Sequence, residues 1–169
     1  MKNHRGFSLI ELLIVVAVIG IVAAIAIPNL LASKRAANDG AAVSALRTLF
    51  GANVSYAASS GGGNYAGTAG TVGTSPMATL ANASLIDNDF GSGQKSGFAF
   101  VGDSTVATPT TPATFYFATN PTRVSGVLAT GTKRFGVATD GVIRFDDTAA
   151  TLNVPFDATT LAAAAALNN

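Results

Sequence analysis

The sequence GFSLIELLIVVAVIGIVAAIAIP, residues Gly6–Pro28, decides the fold of this 169-residue chain. It is apolar apart from Glu11 near its start, and no charged side chain occurs from Leu12 to Ser33. These 22 residues make about 33 Å of helix, at about 1.5 Å per residue. The hydrocarbon core of a bilayer is about 30 Å thick. The segment is therefore predicted to span a membrane.

The six residues before this run, MKNHRG, carry Lys2 and Arg5. Because basic residues beside a membrane span favour the cytoplasmic side, the N-terminus is predicted to stay in the cytoplasm while the rest is exported. A secretory signal has a shorter apolar core, of about 7–15 residues. A carboxylate at Glu11 either has a function in the membrane or lies at headgroup level, where it costs little. The spacing alone does not decide between these two interpretations.

The residues Gly6-Phe7-Ser8-Leu9-Ile10-Glu11-Leu12 resemble the processing site of type IV prepilins and type II secretion pseudopilins. In that family a membrane aspartic peptidase cuts after the glycine, and the new N-terminal residue is N-methylated. The resemblance implies cleavage after Gly6, methylation of Phe7 and an assembly role for Glu11. Gly20 and Pro28 fall where family members often carry a helix-loosening glycine and proline. The resemblance covers roughly residues 1–58.

The processing that the resemblance implies has a physical rationale at Glu11. Cleavage after Gly6 would expose the α-amino group of Phe7, whose pKa is ordinarily near 8, so that it is cationic at neutral pH. In a filament, that amine can meet the Glu11 carboxylate of a neighbouring subunit. Two charges that are costly alone in an apolar environment are tolerated as a pair. Glu11 is thus predicted to set the register between subunits.

Pro28 interrupts the apolar run, since it lacks a backbone N–H and its ring clashes with the carbonyl four residues earlier. It either loosens the helix, with Gly20 as a second weak point, or marks the end of the span. Beyond it, helix-favourable sequence resumes after Asn38-Asp39-Gly40, which we expect to be a local weak spot. An apolar stripe at helical spacing predicts an amphipathic segment against a globular domain: Val43, Leu46, Phe50, Val54 and Ala57.

The chain therefore divides into a leader at 1–6, a transmembrane and polymerisation helix at 7–31, an amphipathic half of the same helix at 32–58, and a globular domain at 59–169. The helix is expected to run from Phe7 to Ala58. Residues 59–76 have the composition of an exposed loop. A short helix is predicted at Met77–Ile86. The tail from Thr148 has no clear pattern, although Leu161–Leu167 could form a helical turn.

Strand patterns occupy the centre of the globular part. Candidates are Phe98–Val101, Phe115–Ala118, Arg134–Ala138 and Val142–Phe145, and Asp140-Gly141 between the last two is a strong hairpin signal. They predict an antiparallel sheet of three or four strands with one face covered by residues 43–57. The expected fold class is α+β, a long N-terminal helix packed on a small antiparallel sheet. The family resemblance implies the same, pilin-like, fold.

Composition excludes several functions. A formal net charge of +1 with 11% charged residues argues against nucleic-acid binding, which needs a clustered basic surface. The chain has no cysteine, and its one histidine is His4 in the leader. Disulfides, Ser-His-Asp and Cys-His sites and His-ligated zinc are therefore excluded after leader removal. Composition leaves Ser-Lys or purely carboxylate chemistry open, but no spacing favours either, and no enzymatic activity is predicted. No cofactor is expected; the calcium candidates are Asp140, Asp146 and Asp147, without the spacing of an EF-hand loop.

The resemblance implies a structural subunit of a type IV pilus or a pilus-like filament, or alternatively a type II secretion pseudopilin acting in protein export. Its partners would be copies of itself or other pilins, a prepilin peptidase and methyltransferase, an inner-membrane assembly platform, and membrane lipid before assembly. The precursor would lie in a bacterial inner membrane, and the product in a surface pilus or a periplasm-spanning pseudopilus. A third hypothesis is an exported binding domain with a signal anchor. A plain anchor has no use for Glu11, whereas a polymer does.

Overall fold

The computed structural model describes residues 7–167 of the chain. Four helices and six strands follow one another: α1 Leu9–Ser59, α2 Ser75–Asn82, α3 Asn88–Gly91, β1 Gln94–Lys95, β2 Phe98–Thr105, β3 Thr114–Pro121, β4 Arg134–Ala138, β5 Ile143–Asp146, α4 Ala158–Ala163 and β6 Ala165–Ala166. All neighbouring strands pair antiparallel, in the order β1-β2-β3-β4-β5-β6. The α+β fold class, with a long N-terminal helix and a small antiparallel sheet, is confirmed.

Residues 7–34 form one of two compact units of the chain. Their large apolar side chains are exposed within the chain, from 47% at Val15 to 79% at Phe7, except for the half-buried Leu31. Within residues 7–167, α1 is the one helix long and apolar enough to cross a membrane, and none of that apolar window is buried. Both Gly20 and Pro28 lie inside α1, and the helix is not interrupted at either residue.

Residues 35–59 of α1 pack against the sheet within the second unit. The buried side chains are Ala42, Ala45, Leu46, Leu49, Ala52 and Asn53. The predicted stripe is confirmed at Leu46, lies at the edge of the core at Val43 and Phe50, and is wrong at Val54, which is 43% exposed. Small alanines mark the face where the helix backbone approaches the sheet. The predicted stripe omitted Leu49 and the buried alanines, and so it ran along the edge of that face.

The sheet has two covered faces. Side chains alternate across it, so Phe100, Phe117 and Val137 join Leu46 and Leu49 of α1 in the main core. On the opposite face, a smaller cluster contains Tyr116, Ala118, Phe156 and Leu161. Helix α4 reaches that face at Gly136, where an added Cβ would lie 2.5 Å from the Leu161 side chain. The C-terminal segment is thus held by packing on the sheet, in a chain that has no disulfide.

Several predicted elements differ in extent from the observed ones. Helix α1 spans Leu9–Ser59 rather than Phe7–Ala58, and α2 begins earlier than predicted, with Pro76 in its first turn. The hairpin of β4 and β5 is confirmed, with Val137 paired to Ile143. Three or four strands were predicted and six are present, because the two-residue edge strands β1 and β6 are too short to show a period. The four-residue α3 was not predicted, and the helical turn expected at Leu161–Leu167 lies at Ala158–Ala163.

Candidate assembly segment

The start of α1 brings Glu11 back toward the residues before the helix. One carboxylate oxygen of Glu11 accepts a hydrogen bond from the backbone N–H of Ser8, at 3.3 Å. The sequence Ser8-x-x-Glu11 matches a capping box, in which the acid in the first helical turn satisfies an unpaired backbone donor. Such an acid also complements the positive end of the helix dipole. Glu11 therefore has a local partner within its own chain, which sequence reasoning did not anticipate although the S-x-x-E pattern was visible.

The other predicted processing residue, Gly6, lies outside the described residues. Phe7 is described and is 79% exposed, so its side chain is not held by the chain itself. Cleavage before Phe7 would place a charged amine one residue from the Ser8 N–H that Glu11 already accepts. The carboxylate is thus positioned at the end of the helix where the new charge would appear.

The two helix-loosening candidates have different surroundings. A Cβ added to Gly20 would meet no atom within 4 Å, so nothing within the chain requires a glycine there. Near Pro28, the side-chain amide of Asn29 donates to the carbonyl of Ile25 at 3.1 Å. A proline deprives the carbonyl four residues earlier of its donor, and Asn29 supplies an extra donor in the same turn. Loosening at Gly20 and Pro28 stays a prediction.

The three calcium candidates are not brought together. Asp140, in the β4–β5 turn, forms an ion pair with Arg144 at 2.7 Å. Asp146 lies at the other end of β5 and pairs with Arg134 at 2.8 Å. Asp147 follows it and is exposed. In the described part of the chain, no three His, Cys, Asp or Glu residues form a group able to hold one metal ion. Calcium at these residues stays a prediction.

The partners of these two paired carboxylates lower their pKa values. Hydrogen bonds from the Thr151 and Thr148 side chains, the Thr148 N–H and Arg134 hold the pKa of Asp146 well below its usual range. The hydrogen bond from Arg144 likewise lowers the pKa of Asp140. Both carboxylates are therefore ionised in the folded chain and serve to close the two ends of the hairpin.

A cleft of about 350 Å³ opens between the outer face of the sheet and α4. Its lining includes Asp103, Tyr116, Asp140, Arg144 and Leu161. Burial, and then the charges of Asp103 and Asp157, raise the pKa of the Tyr116 phenol, so it stays protonated at neutral pH. The arginine of the cleft is held by Asp140. Tyr116 is therefore not an activated nucleophile in this cleft.

A polar cluster on α1, which sequence reasoning missed, holds the loop between β3 and β4. Arg35 donates to the carbonyl of Gly126 at 3.2 Å, and Asn38 donates to the carbonyl of Thr130 at 2.8 Å. Asp39 accepts from the N–H of Thr132 at 3.0 Å. The predicted weak spot at Asn38-Asp39-Gly40 is therefore helical and serves as an attachment point. The spacing of these polar residues on one helix face was the available signal.

Comparison with known proteins places similarity at the N-terminus. Residues 1–27 match the model of the prokaryotic N-terminal methylation motif. The type IV wide pilus major component PilA4 of Thermus thermophilus is 64% identical over 39 residues, which are 23% of this chain and 30% of that protein. The type IV major pilin protein PilA of Myxococcus xanthus is 48% identical over 54 residues, 32% of this chain and 24% of that protein.

A third relative belongs to protein secretion. The type II secretion system core protein G of Klebsiella pneumoniae is 38% identical over 52 residues, 31% of this chain and 37% of that protein. The matched region thus spans between about a quarter and two fifths of the length of these relatives. No solved structure matches the chain with significance. The family model at residues 1–27 therefore bears on the start of α1, whereas the sheet is described by the structure alone.

Proposed function

We propose that this chain, whose N-terminal segment carries the methylation motif and is similar to type IV pilins and a type II secretion pseudopilin, is a structural subunit of a type IV pilus or pilus-like filament. It is made as a membrane prepilin, cleaved after Gly6, methylated at Phe7 and then polymerised. The observation that carries the proposal is the apolar run behind that motif, since none of its membrane-length window is buried within the chain. Such a surface needs lipid before assembly and other subunits after it.

Glu11 supports the assembly step. In the single chain its carboxylate accepts only the Ser8 N–H among the described hydrogen bonds, so it has acceptor capacity left. The methylated amine of Phe7 in a neighbouring subunit is a cation of the right charge to use that capacity. Because a lone charge is costly in an apolar filament core, pairing favours subunits in the one register that brings both charges together.

A secretion pseudopilin is the second candidate. The similarity to a type II secretion core protein G favours it. Many pilins fasten their C-terminal region with a disulfide, so the lack of cysteine fits either a pseudopilin or a cysteine-free pilin. In this chain α4 is instead held on the sheet by Leu161 against Gly136. Both candidates share the processing and polymerisation steps and differ in whether the filament leaves the cell.

The partners follow from the same proposal: copies of this chain or other pilins, a prepilin peptidase and methyltransferase, and an assembly platform in the inner membrane. The basic residues Lys2 and Arg5 keep the leader in the cytoplasm. No catalytic activity is assigned, since His4 is the one histidine and cysteine is lacking. The product lies in a surface pilus or a periplasmic pseudopilus.

Mass spectrometry of the N-terminal peptide tests this proposal, applied to native membranes and to material sheared from the cell surface. The expected chain begins at methylated Phe7. Abundance in the sheared fraction favours a surface pilin, and confinement to the envelope favours a pseudopilin or a minor subunit. A chain that still begins at Met1 in both fractions would contradict the filament proposal. So would a chain that begins near Ser33, because Leu31-Ala32-Ser33 could pass for the cleavage site of an ordinary secretory signal.

A further inference from the structure

The loop between β3 and β4 contains a turn at residues 126–129 whose two central residues are apolar. The N–H of Ala129 donates to the carbonyl of Gly126 at 3.2 Å, which places Val127 and Leu128 at the two central positions. Their side chains are 67% and 65% exposed and belong to neither apolar cluster of the chain. Turn corners ordinarily carry Gly, Pro, Asn, Asp or Ser. Two large aliphatic side chains at such a corner indicate a partner outside the chain.

Hydrogen bonds hold this turn against α1. Arg35 donates to the carbonyl of Gly126, within the turn itself. Behind it, the Thr130 N–H donates to the carbonyl of Arg123 at 2.9 Å, and Asn38 donates to Thr130. These bonds fix the backbone on both sides of the corner. Val127 and Leu128 are therefore exposed on a turn whose backbone is held by hydrogen bonds.

The residue that holds the turn is close in sequence to the membrane run. Arg35 comes two residues after Ser33, the last residue of the uncharged stretch. When that stretch lies in a bilayer, arginines at its end lie at headgroup level, with their charge among the lipid phosphates. Since Gly126 accepts a hydrogen bond from Arg35, the turn lies within one side-chain length of the residue that follows this stretch so closely.

The charge around the turn suits an anionic lipid surface. Arg35 and Arg123 flank it, and Arg123 is exposed. The acid nearest in the helix, Asp39, is occupied by the N–H and hydroxyl of Thr132. Basic residues beside inserted apolar side chains are the pattern by which peripheral segments bind anionic membranes.

We propose that the Val127–Leu128 turn is a second membrane contact of the unassembled subunit. The two side chains enter the interfacial layer of the bilayer next to the span, and Arg35 and Arg123 face the lipid phosphates. The globular domain thereby gains an attachment to the membrane surface besides its covalent link to the helix. This inference rests on the membrane stage of the proposed function.

Site-directed fluorescence on the full chain tests the contact, because the natural sequence has no cysteine. Leu128→Cys carries an environment-sensitive NBD label, and the chain is reconstituted in vesicles of phosphatidylcholine and phosphatidylglycerol. Val106→Cys, 55% exposed and just beyond the far end of β2, is the matched control. The label at 128 should shift to shorter wavelength and be quenched by lipids spin-labelled near the headgroup, and the label at 106 should do neither.

Two further results decide against the inference. If the chain resists carbonate extraction but the labels at 128 and 106 show the same water-like emission, the lipid contact is overturned and the membrane stage stands. A shift at 128 that follows the protein-to-lipid ratio and is insensitive to spin-labelled lipid assigns the turn to a second copy instead. Extraction of the chain by carbonate contradicts the proposed membrane stage itself, so the two failures are distinguishable.

Discussion

The two halves of α1 are both helical but differ in where their apolar side chains are placed. Residues 9–34 expose nearly every apolar side chain, whereas residues 35–59 bury a stripe centred on Leu46 and Leu49, both fully buried. Burying a leucine stabilises a structure by about 1.5–3 kcal/mol relative to exposure. In the second half that stabilisation comes from the sheet. In the first half it has to come from lipid or from other molecules, and that difference is the physical basis of the proposed filament subunit.

The largest effect is expected where the first half carries charge. Glu11→Ala should leave membrane insertion intact and abolish filament formation, because it removes the acceptor for the neighbouring amine. Glu11→Gln keeps the shape and tests the charge alone. Filament yield in the sheared fraction, with carbonate extraction as the insertion control, measures both. Normal yield from the alanine variant would show that Glu11 only caps its own helix.

A matched pair of leucine substitutions sharpens the contrast between the halves. Leu46→Ala should lower the unfolding free energy of the globular domain by about 2–5 kcal/mol, since it leaves a cavity in a packed core. Leu13→Ala, at a residue 60% exposed, should leave it unchanged. Denaturant unfolding of both variants in the same detergent gives the comparison. Equal losses would mean that the first half is stabilised within the chain.

One asparagine in each half of α1 allows the same comparison of domain stability, with a smaller expected effect. Asn53 is buried, and its side-chain oxygen accepts the N–H of Ala66 at 2.8 Å. Asn53→Ala leaves that buried donor unpaired and should cost about 1–3 kcal/mol of domain stability. Asn29→Ala removes only a bond to a carbonyl of its own helix turn and should be near neutral. Unfolding curves and amide exchange at Ala66 report the difference.

Acid should weaken only the half of the molecule that contains the hairpin. Asp146 and Asp140 have folded pKa values lowered by their hydrogen bonds, so their contribution is complete above the unfolded pKa of about 4 and is lost as pH falls through the folded value. Solvent screening limits each pair to about 1 kcal/mol or less. Thermal unfolding between neutral pH and pH 3 should therefore show a modest loss, reduced in Asp140→Asn. An increase in stability over that range would contradict this account.

The structural predictions that were confirmed depend on patterns of residues close together in sequence. The uncharged run and the Asp140-Gly141 turn each depend on neighbours in sequence, and both are confirmed as a helix and a hairpin. The phase of the buried stripe depends on which helix face meets the sheet, so Val54 was misassigned. The bond from Arg35 to Gly126 joins residues 91 positions apart. No local signal contains that pairing, which is why the attachment of the β3–β4 loop emerged only from the structure.

Thiol accessibility inside the apolar run tests the central claim most directly. Val18→Cys, at a residue 53% exposed in the single chain, introduces the only thiol of the protein. In sheared filaments a membrane-impermeant maleimide should fail to react with it until detergent dissolves the fibre, because neighbouring subunits cover the run. Full reaction in intact fibres made of this chain would show that other subunits do not bury the segment, and would contradict the account.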